Sequence, residues 1–463
     1  MNFRIEKDSM GEVQVPEDAL YGASTQRAID NFPISGRMVG RRIIWGFGLL
    51  KGSAATISGR DGHVDQDKAD AIRRAADEVM EGKYDDQFLV DVFQTGSGTS
   101  TNTNANEIIA NRATEILGGE KGSKLVHPND HVNFGQSSND TFPTAMHLAA
   151  GQALRDDLLP ALDTLAASLE AKATEFEDVV KSGRTHLMDA VPVTLGQEFG
   201  GYAAHFRKAI DRVNKVLPEI DELALGGTAV GTGINCPEGY AAAVIELMSE
   251  RTGSPLTEAE NHFEAQAGKD GVVNVSGTLK TIAGALFKVA NDLRWLSSGP
   301  VTGIAEIKLP ALQPGSSIMP AKVNPVMPEM AMQVSAQVGG NDASITWGGA
   351  NGNFELNVMM PMMAMNLLES ISLMSAACRN LATRCVDGIE ADAERARELL
   401  EKNVIVVTAL NPHIGYDAGS KAAKRAFAEG RTVRDVVLEE GLMSEEELDA
   451  ALDLKKMTRG GLG

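Results

Sequence analysis

The sequence predicts a mainly α-helical protein built around a bundle of long helices. Hydrophobic residues make up 43% of its 463 residues and aromatic residues only 5%, a balance that favours packed helices over sandwiches or barrels. A second observation is that apolar residues recur at steps of three and four along three separate stretches. Because one helix cannot cover its own apolar stripe, helices of this kind are expected to pack together as a bundle.

Three apolar stripes carry this prediction. The first consists of Val272, Val275, Leu279, Ile282, Leu286, Val289, Leu293 and Leu296; the second of Leu195, Phe199, Tyr202, Phe206, Ala209, Val213 and Val216; the third of Met363, Leu367, Ile371, Met374, Cys378, Leu381 and Cys385. Helices of about thirty residues extend roughly 45 Å, well beyond the radius of a compact domain. Rods of that length commonly share their core with other subunits, so a homo-oligomer is expected.

Changes of pattern along the chain predict three domains. Residues 1–134 are mixed but mostly helical, with turn-rich stretches such as "ISGRDGH". Residues 135–391 hold the long apolar periodicities and form the central long-helix bundle. Residues 392–463 change to short charged helices such as "SEEELDAAL" and read as a small C-terminal helical domain.

The charge balance excludes some classes of partner. Lys plus Arg total 43 against 63 Asp plus Glu, which gives a net charge of -20. Non-specific nucleic-acid binding needs a basic face, and an anionic membrane surface would repel such a chain. The first ten residues include acidic side chains, no apolar run of about eighteen residues occurs, and there are three cysteines. We therefore expect a cytoplasmic protein that binds neither nucleic acid nor membrane.

The candidate sites are four polar loops that contain glycine and lie at the N-terminal ends of predicted helices. They are "TGSGTSTNTNANE" (95–107), "HPNDHVNFGQSSNDTFP" (127–143), "SGRTHLMDAVPVTLGQE" (182–198) and "GSSIMPAKVNPV" (315–326). Ser, Thr and Asn cap helices, but the first loop holds more of them than capping needs, and an anion at the helix N-terminus accounts for the surplus. The fourth loop offers hydroxyls, an ammonium, an amide and backbone N–H groups without any acidic side chain, which predicts a carboxylate or phosphate cradle.

Each loop also has a plainer interpretation. His186 could be a structural histidine, and Lys322 an ordinary surface lysine. His127 and His131 are four residues apart, but no glutamate or cysteine completes a metal-ligand set, so no metal is expected. The stretch "ALGGTAVGTG" (224–233) lacks the order of a nucleotide-binding loop and is interpreted as a turn near the site. Cys378 and Cys385 are interpreted as buried small hydrophobes.

Taken together, the motifs resemble those of the fumarase/aspartase superfamily. "GSSIMPAKVNP" resembles its signature, and "QTGSGTSTN", "QSSNDTFPTAMH", "SGRTHLMDAVPVTLGQE", "ALGGTAVGTG" and "GGANGNFELNVMMPMM" are similar to class II fumarate hydratases. The resemblance extends through nearly the whole chain. It implies a homotetramer with a central twenty-helix core, no metal or organic cofactor, and active sites that each draw loops from three subunits.

The activity implied by the resemblance is the reversible hydration of fumarate to (S)-malate, a step of the tricarboxylic acid cycle, by anti addition and elimination of water. Removing a proton next to a carboxylate leaves an aci-carboxylate, and positioned donors that surround this charge can each be worth ~10²–10³ in rate. Lys322, Asn324 and Thr185 are donors of the required kind, and positive potential from Lys322 and Arg184 is expected to attract the dianion.

The resemblance also implies roles for individual residues. Ser316 would be the base, as an alkoxide held by backbone N–H groups and by Lys322, while His186, oriented by Glu329, would handle the water. The implied substrate-binding set is Ser97, Thr99, Ser137, Ser138, Asn139, Thr185, Ser317 and Asn324. A secondary anion site would comprise Lys124, His127, Asn129 and Asp130, with Lys124 standing where the family usually has arginine.

Two alternatives stay open at the level of sequence. Aspartate ammonia-lyases share the fold and often carry the alanine found at Ala321, whereas "GRTH" (183–186) and "GSGT" (96–99) are the fumarase forms. A protein that kept the fold but lost activity, as in lens crystallins, is the other alternative. It is disfavoured because Ser316, His186 and Lys322 are all present.

Overall fold

The computed structural model describes residues 2–459 and contains 17 α-helices within that range. In chain order they are α1 (Ala23–Asn31), α2 (Arg41–Arg60), α3 (Gln66–Met80), α4 (Thr99–Ile116), α5 (Ser138–Ala153), α6 (Leu159–Glu175), α7 (Leu195–Asp221), α8 (Tyr240–Thr252), α9 (His262–Ala267), α10 (Asp270–Leu296), α11 (Val326–Gly349), α12 (Met360–Arg384), α13 (Ala393–Glu401), α14 (Asn411–Ile414), α15 (Tyr416–Glu429), α16 (Val433–Glu439) and α17 (Glu445–Ala451). The prediction of a mainly α-helical fold is confirmed.

The strands are short and pair two by two. They are β1 (Phe3–Asp8), β2 (Gly11–Pro16), β3 (Val180–Thr185), β4 (Met188–Thr194), β5 (Glu222–Leu223), β6 (Thr257–Glu258), β7 (Ile307–Lys308), β8 (Gly352–Asn353), β9 (Leu356–Asn357) and β10 (Glu390–Ala391). The pairs β1·β2, β3·β4, β7·β10 and β8·β9 are antiparallel, and β5·β6 is parallel. None of these ribbons is large enough to be a core of its own.

Residue packing divides the chain into two compact units. Within the described residues, unit 1 covers the chain up to Pro160, Asp211–Ala283 and Ala336–Ser375, whereas unit 2 covers Ala161–Ile210, Gly284–Ser335 and the chain from Ala376 onward. The three-domain boundaries predicted from the sequence are not tested by this division and stay a prediction.

Four long helices have residues in both units, and three of them, α7, α10 and α12, carry the predicted stripes. These helices, α7, α10, α11 and α12, are 24 to 27 residues long, somewhat shorter than the thirty expected. Every residue of the three predicted stripes is buried. Stripes with steps of three and four thus face packed interior, as a bundle requires.

Polar side chains also join the long helices inside unit 1. Ser276 of α10 donates to Asp342 of α11 over 2.8 Å, and Asn341 of α11 donates to Ser370 of α12 over 3.1 Å. Because each buried polar group needs a partner, such pairs favour one register of the neighbouring helices. The predicted bundle arrangement is therefore present in the helices α10, α11 and α12.

Unit 2 has its own small core near the C-terminus. Ten buried residues form it, namely Leu400, Val406, Val407, Leu410, Ala422, Ala426, Val433, Val436, Val437 and Leu448. Short charged helices close over this core, with ion pairs such as Arg425 to Glu429 on the outside. Across the described range, no helix combines the length and the apolar character that crossing a membrane requires.

Candidate active site

A chain of three hydroxyl groups lies at the N-termini of α4 and α5 in unit 1. Ser97 Oγ lies 2.7 Å from Thr99 Oγ1, which in turn lies 2.7 Å from Ser138 Oγ. Ser97 is buried and Thr99 is exposed, so the chain leads from the interior to the surface. Helix N-termini attract anions, and the structure brings together three of the predicted substrate-binding residues there.

The neighbouring Ser137 and Asn139 are fixed by the start of α5. Ser137 is its N-cap, in a capping box with Asp140. The helix therefore begins at Ser138. Asn139 Nδ2 donates to the carbonyl of Ala229 over 2.8 Å.

The loop 224–233 packs against this helix start, as its interpretation as a turn near the site predicted. Asp140 is completely buried, and it accepts hydrogen bonds from the backbone N–H groups of Gly226 and Thr228 at 3.2 and 2.9 Å. Burial raises the pKa of Asp140 to about 6, while these hydrogen bonds act in the opposite direction. One carboxylate thus joins the start of α5 to the loop 224–233.

Gly98 lets the first loop approach the interior of unit 1. Its φ is 75°, a region that favours glycine. A Cβ placed there would lie 2.1 Å from the ring of Phe142. Only glycine therefore leaves Ser97 and Thr99 in this position.

His186 lies at the tip of a β-hairpin in unit 2, rather than in an irregular loop as predicted. It and Leu187 form the turn between β3 and β4, with φ values of 57° and 60°. Two successive residues with positive φ match the twist of a tight hairpin, although side chains other than glycine adopt such values with strain. Thr185, His186 and Leu187 are all exposed, so the hairpin presents the histidine to its surroundings.

The prediction that Arg184 supplies positive potential is wrong. Its guanidinium forms two hydrogen bonds to the carboxylate of Glu306, at 3.0 and 2.8 Å. Glu306 is fully buried and also contacts Lys181 over 3.2 Å. Arg184 therefore anchors the hairpin, and its charge is compensated by the buried carboxylate of Glu306.

The loop 315–326 is irregular, as predicted, and is closed by its own hydrogen bonds. Gly315 N–H donates to the carbonyl of Lys322 over 2.9 Å, and Asn324 Nδ2 donates to the carbonyl of Gly315 over 2.6 Å. Lys322 Nζ donates to Asn324 Oδ1 over 2.8 Å. The structure therefore brings Ser316, Lys322 and Asn324 into one short loop.

Ser316 Oγ faces two backbone donors. It accepts hydrogen bonds from the N–H groups of Ile318 and Met319, at 3.2 and 2.9 Å. Donors aimed at a hydroxyl oxygen stabilise its deprotonated form. The adjacent Ser317 is exposed, and the chain turns back at Ala321, whose φ is 67°.

Glu329 lies in the first turn of α11. Among residues 2–459, no hydrogen bond joins it to His186. The predicted pairing of this acid with the histidine therefore stays a prediction.

Three of the four residues of the predicted secondary anion site, Lys124, His127 and Asn129, line a cavity of about 490 Å³ in unit 1. His127 Nδ1 accepts from the N–H groups of Asn129 and Asp130, at 3.2 and 3.1 Å, and Lys124 Nζ donates to the carbonyl of Lys7 over 3.1 Å. His131 Nδ1 accepts from the N–H of His127, so the two histidines hold the turn. In the described part of the chain, no group of three or more His, Cys, Asp or Glu side chains is placed to hold a metal ion.

Sequence reasoning missed two residues that support the helix starts in unit 1, Lys51 and Asp140. Lys51 is fully buried, and its ammonium donates to Asn133 and Gln136. A signal was present, because Lys51 is the only charged residue between Ile43 and Gly59. A lone charge in an apolar helix is seldom buried without specific partners.

The long-helix bundle and the polar clusters at the N-termini of its helices are features of a helical lyase. Comparisons with known proteins agree with this class. A family model described as "Lyase" matches residues 11–340, and one described as "Fumarase C C-terminus" matches residues 406–459. Two curated relatives named class II fumarate hydratase, from Mycobacterium tuberculosis and Corynebacterium glutamicum, are each 55% identical to the chain. They cover 99% and 98% of it, and the match spans 96% of each relative.

A solved structure extends the agreement to the fold. The crystal structure of recombinant class II fumarase from Schistosoma mansoni has a TM-score of 0.97 and 38% identity, with 99% of each chain covered. The chain belongs to the class II fumarate hydratase family. The resemblance drawn from the sequence motifs is confirmed.

Proposed function

We propose that the protein catalyses the reversible hydration of fumarate to (S)-malate, as a carbon–oxygen lyase. The names of the relatives support this activity. The observation that carries the proposal is the geometry of Ser316, whose hydroxyl oxygen accepts two backbone hydrogen bonds. A serine needs such donors to act as a base, because its free hydroxyl is far too weak an acid at neutral pH.

In the dehydration direction, Ser316 removes the proton from the carbon next to a carboxylate of malate. The electron pair moves into that carboxylate and forms the aci-carboxylate, which collapses as water leaves from the opposite face. His186 protonates the departing hydroxyl and deprotonates water in the reverse reaction. Glu329 orients the histidine. Lys322 favours the Ser316 alkoxide, and no metal or organic cofactor is needed for these proton transfers.

The substrate is a small dianion, and its two carboxylates need donors at both ends. The hydroxyl chain of Ser97, Thr99 and Ser138 supports binding of one carboxylate at the starts of α4 and α5. Ser137 and Asn139 complete that set, while Thr185, Ser317 and Asn324 serve the other end. The net charge of -20 repels a dianion, so these local donors and Lys322 must outweigh it. The cluster of Lys124, His127, Asn129 and Asp130 is proposed as a non-catalytic secondary anion site.

The proposal includes a homotetramer with a twenty-helix core, in which each active site draws loops from three subunits. Large side chains exposed along and beside the long helices support it: Phe287 is 41% exposed, Trp295 47%, Trp347 77% and Phe354 92%. Apolar side chains of this size favour coverage by another protein surface. The three free cysteines and the acidic composition support a cytoplasmic location.

The proposal is tested by incubating the purified protein with fumarate, with and without ammonium, and identifying the product. We expect malate in both reactions. Formation of aspartate without malate would establish the aspartate ammonia-lyase alternative, which the relatives reported above do not favour. Lack of turnover together with intact folding would favour a protein that has kept only the fold.

A further inference from the structure

Burying Lys51 costs more free energy than burying an apolar side chain at the same position would. It lies in the middle of α2, fully excluded from solvent, between the buried residues Leu50 and Gly52. Burying an ammonium carries a large desolvation penalty even after relaxation, whereas methionine would fill a similar volume without this penalty. A function of the charge must therefore be sought in the groups that its ammonium contacts.

Both hydrogen bonds of its ammonium go to one segment, residues 133–136. Lys51 Nζ donates to Asn133 Oδ1 over 2.8 Å and to Gln136 Oε1 over 2.9 Å. Gln136 Nε2 in turn donates to the carbonyl of Phe134 over 3.1 Å, and Asn133 Nδ2 to the carbonyl of Gln136 over 3.1 Å. The ammonium thus fixes both the side chains and the backbone of this segment.

The same segment is tied to α4, which carries the hydroxyl chain. Asn133 Oδ1 also accepts from Asn106 Nδ2 over 3.1 Å and from Asn102 Nδ2 over 3.3 Å. Asn102 Oδ1 accepts from Thr141 Oγ1 of α5 over 3.0 Å. One hydrogen-bond network therefore links Lys51 to both helices whose N-termini hold Ser97, Thr99 and Ser138.

The next residues along the chain are Ser137, Ser138 and Asn139, and Asp140 holds them from the other side. Burial lowers the pKa of Lys51 to about 7, and the carboxylate of Asp140 acts in the opposite direction. The two buried charges therefore favour each other's ionised forms. The segment 137–139, which follows the Lys51 acceptor Gln136 and precedes Asp140 in the chain, offers neutral hydroxyl and amide groups.

We propose that Lys51 is a positioning residue of the dicarboxylate site: through Asn133 and Gln136 it holds residues 137–139 in place, and its ammonium favours an anion there. This inference rests on the proposed function, since it concerns the same substrate. Lys51 does not touch the reacting atoms and takes no part in the proton transfers. Its loss should therefore weaken binding more than it slows the chemical step.

The test compares Lys51→Met with Lys172→Met. Lys172 is also a buried lysine, but it lies in unit 2, where its ammonium donates to Glu175 and to the carbonyl of Ile389. Steady-state kinetics with fumarate and calorimetric binding of succinate, a saturated dicarboxylate that cannot react, are measured for both variants. Circular dichroism and thermal unfolding report the fold.

For Lys51→Met we expect KM for fumarate and Kd for succinate to rise about tenfold or more, the effect of losing one charge-assisted hydrogen-bond network. The change in kcat should be smaller than the change in KM. Lys172→Met should lower the unfolding temperature while KM and Kd stay at wild-type values. If both variants change KM equally, or if Lys51→Met binds succinate as the wild type does, the inference is wrong.

A second variant keeps the test decisive if Lys51→Met does not fold. Gln136→Met removes one of the two acceptors and leaves the ammonium in place, so KM and Kd should rise in the same direction by about threefold. Wild-type KM and Kd in folded Gln136→Met would overturn the inference. If the wild-type protein turns over fumarate but neither variant alters binding, this inference fails alone. If the wild type neither hydrates fumarate nor binds succinate, the proposed function fails with it.

Discussion

The two proposed halves of the active site are held in different ways. In unit 1, Ser97 and the framework residues Lys51 and Asp140 are buried, and each hydroxyl of the cluster has a partner within the unit. In unit 2, the loop 315–326 is closed by its own hydrogen bonds, but its apolar side chains face outward: Ile318 is 84% exposed and Val323 50%.

This difference separates a proposed binding surface that internal hydrogen bonds hold in place from a loop whose apolar side chains are exposed. A carboxylate site gains from donors fixed before the substrate arrives, since no reorganisation is then needed. The loop around Ser316 would gain the same property once another surface covers Ile318 and Val323. In the proposed homotetramer, that surface belongs to a second subunit.

The largest expected effect comes from removing the hydroxyl of Ser316. Ser316→Ala should lower kcat by about 10²–10⁴-fold, the range for loss of a general base, because the carbon proton then has no acceptor. Helix content and oligomer size should not change, because Ser316 lies in an irregular loop and in none of the helices. The neighbouring Ser317→Ala is the control, with an expected loss in kcat/KM of about tenfold, as for one hydrogen bond to substrate. A Ser316→Ala protein that retains a tenth of the wild-type kcat would not be compatible with this base.

Disturbing the hydroxyl cluster of unit 1 should change KM for fumarate more than kcat. Gly98→Ala forces a Cβ against Phe142 at a positive φ, and we expect the free energy of unfolding to fall by about 2–4 kcal/mol. KM for fumarate should rise by about tenfold or more as Ser97 and Thr99 move.

Gly118→Ala is the matched control for this variant. Gly118 has a φ of 79° but no atom within 4 Å of an added Cβ. The free energy of unfolding of Gly118→Ala should fall by about 1 kcal/mol, from backbone strain alone, and its KM should equal that of the wild type. If the two alanine variants lost the same free energy of unfolding and had the same KM, packing against Phe142 would not be what positions Ser97 and Thr99.

The pH dependence of binding should report the buried ammonium. Among the titratable groups of the helices packed on α2, Asp140 is the charged group that acts on Lys51. The folded-state pKa of Lys51 is lowered to about 7, so the ammonium is present below that pH and is lost as pH rises through it. Kd for succinate in the wild type should rise by up to about tenfold from about pH 6 to about pH 8. In Lys51→Met, Kd should not show this rise with pH. If the pH profiles of Kd were identical in the two proteins, the Lys51 ammonium would not contribute to binding.

The smallest expected effect concerns the loop of unit 2. Ala321 adopts a φ of 67°, which costs an L-residue roughly 1 kcal/mol and glycine almost nothing. Ala321→Gly should therefore slow hydrogen exchange of the Gly315 amide by about threefold, because the closed loop becomes more stable. Ala311→Gly, at an exposed position shortly before the loop and without a positive φ, should not slow it.

The sequence predicted those features that depend on local pattern. The stripe from Val272 to Leu296 was predictable because helical periodicity is a property of neighbouring residues. The polar loops at helix starts were predictable for the same reason, since capping residues precede the helix they cap.

Contacts between distant residues were not predictable in this way. Arg184 looked like a free cation beside His186, but its partner Glu306 lies 122 residues further along the chain. Lys51 meets Asn133 and Gln136 at separations of 82 and 85 residues. Periodicity could mark Lys51 as a buried charge, but only the folded chain shows which groups satisfy it.

The most direct test of the central claim, that the rigid cluster of one subunit and Ser316 of another form one active site, is complementation between inactive variants. Ser316→Ala and the double variant Thr99→Ala/Ser138→Ala are co-expressed with different tags, and mixed tetramers are isolated through both. Random mixing should restore wild-type residues in about one quarter of the sites, because each site then takes its two halves from different subunits. The account predicts activity well above that of either parent. Activity no greater than the parents' sum in verified mixed tetramers would contradict it.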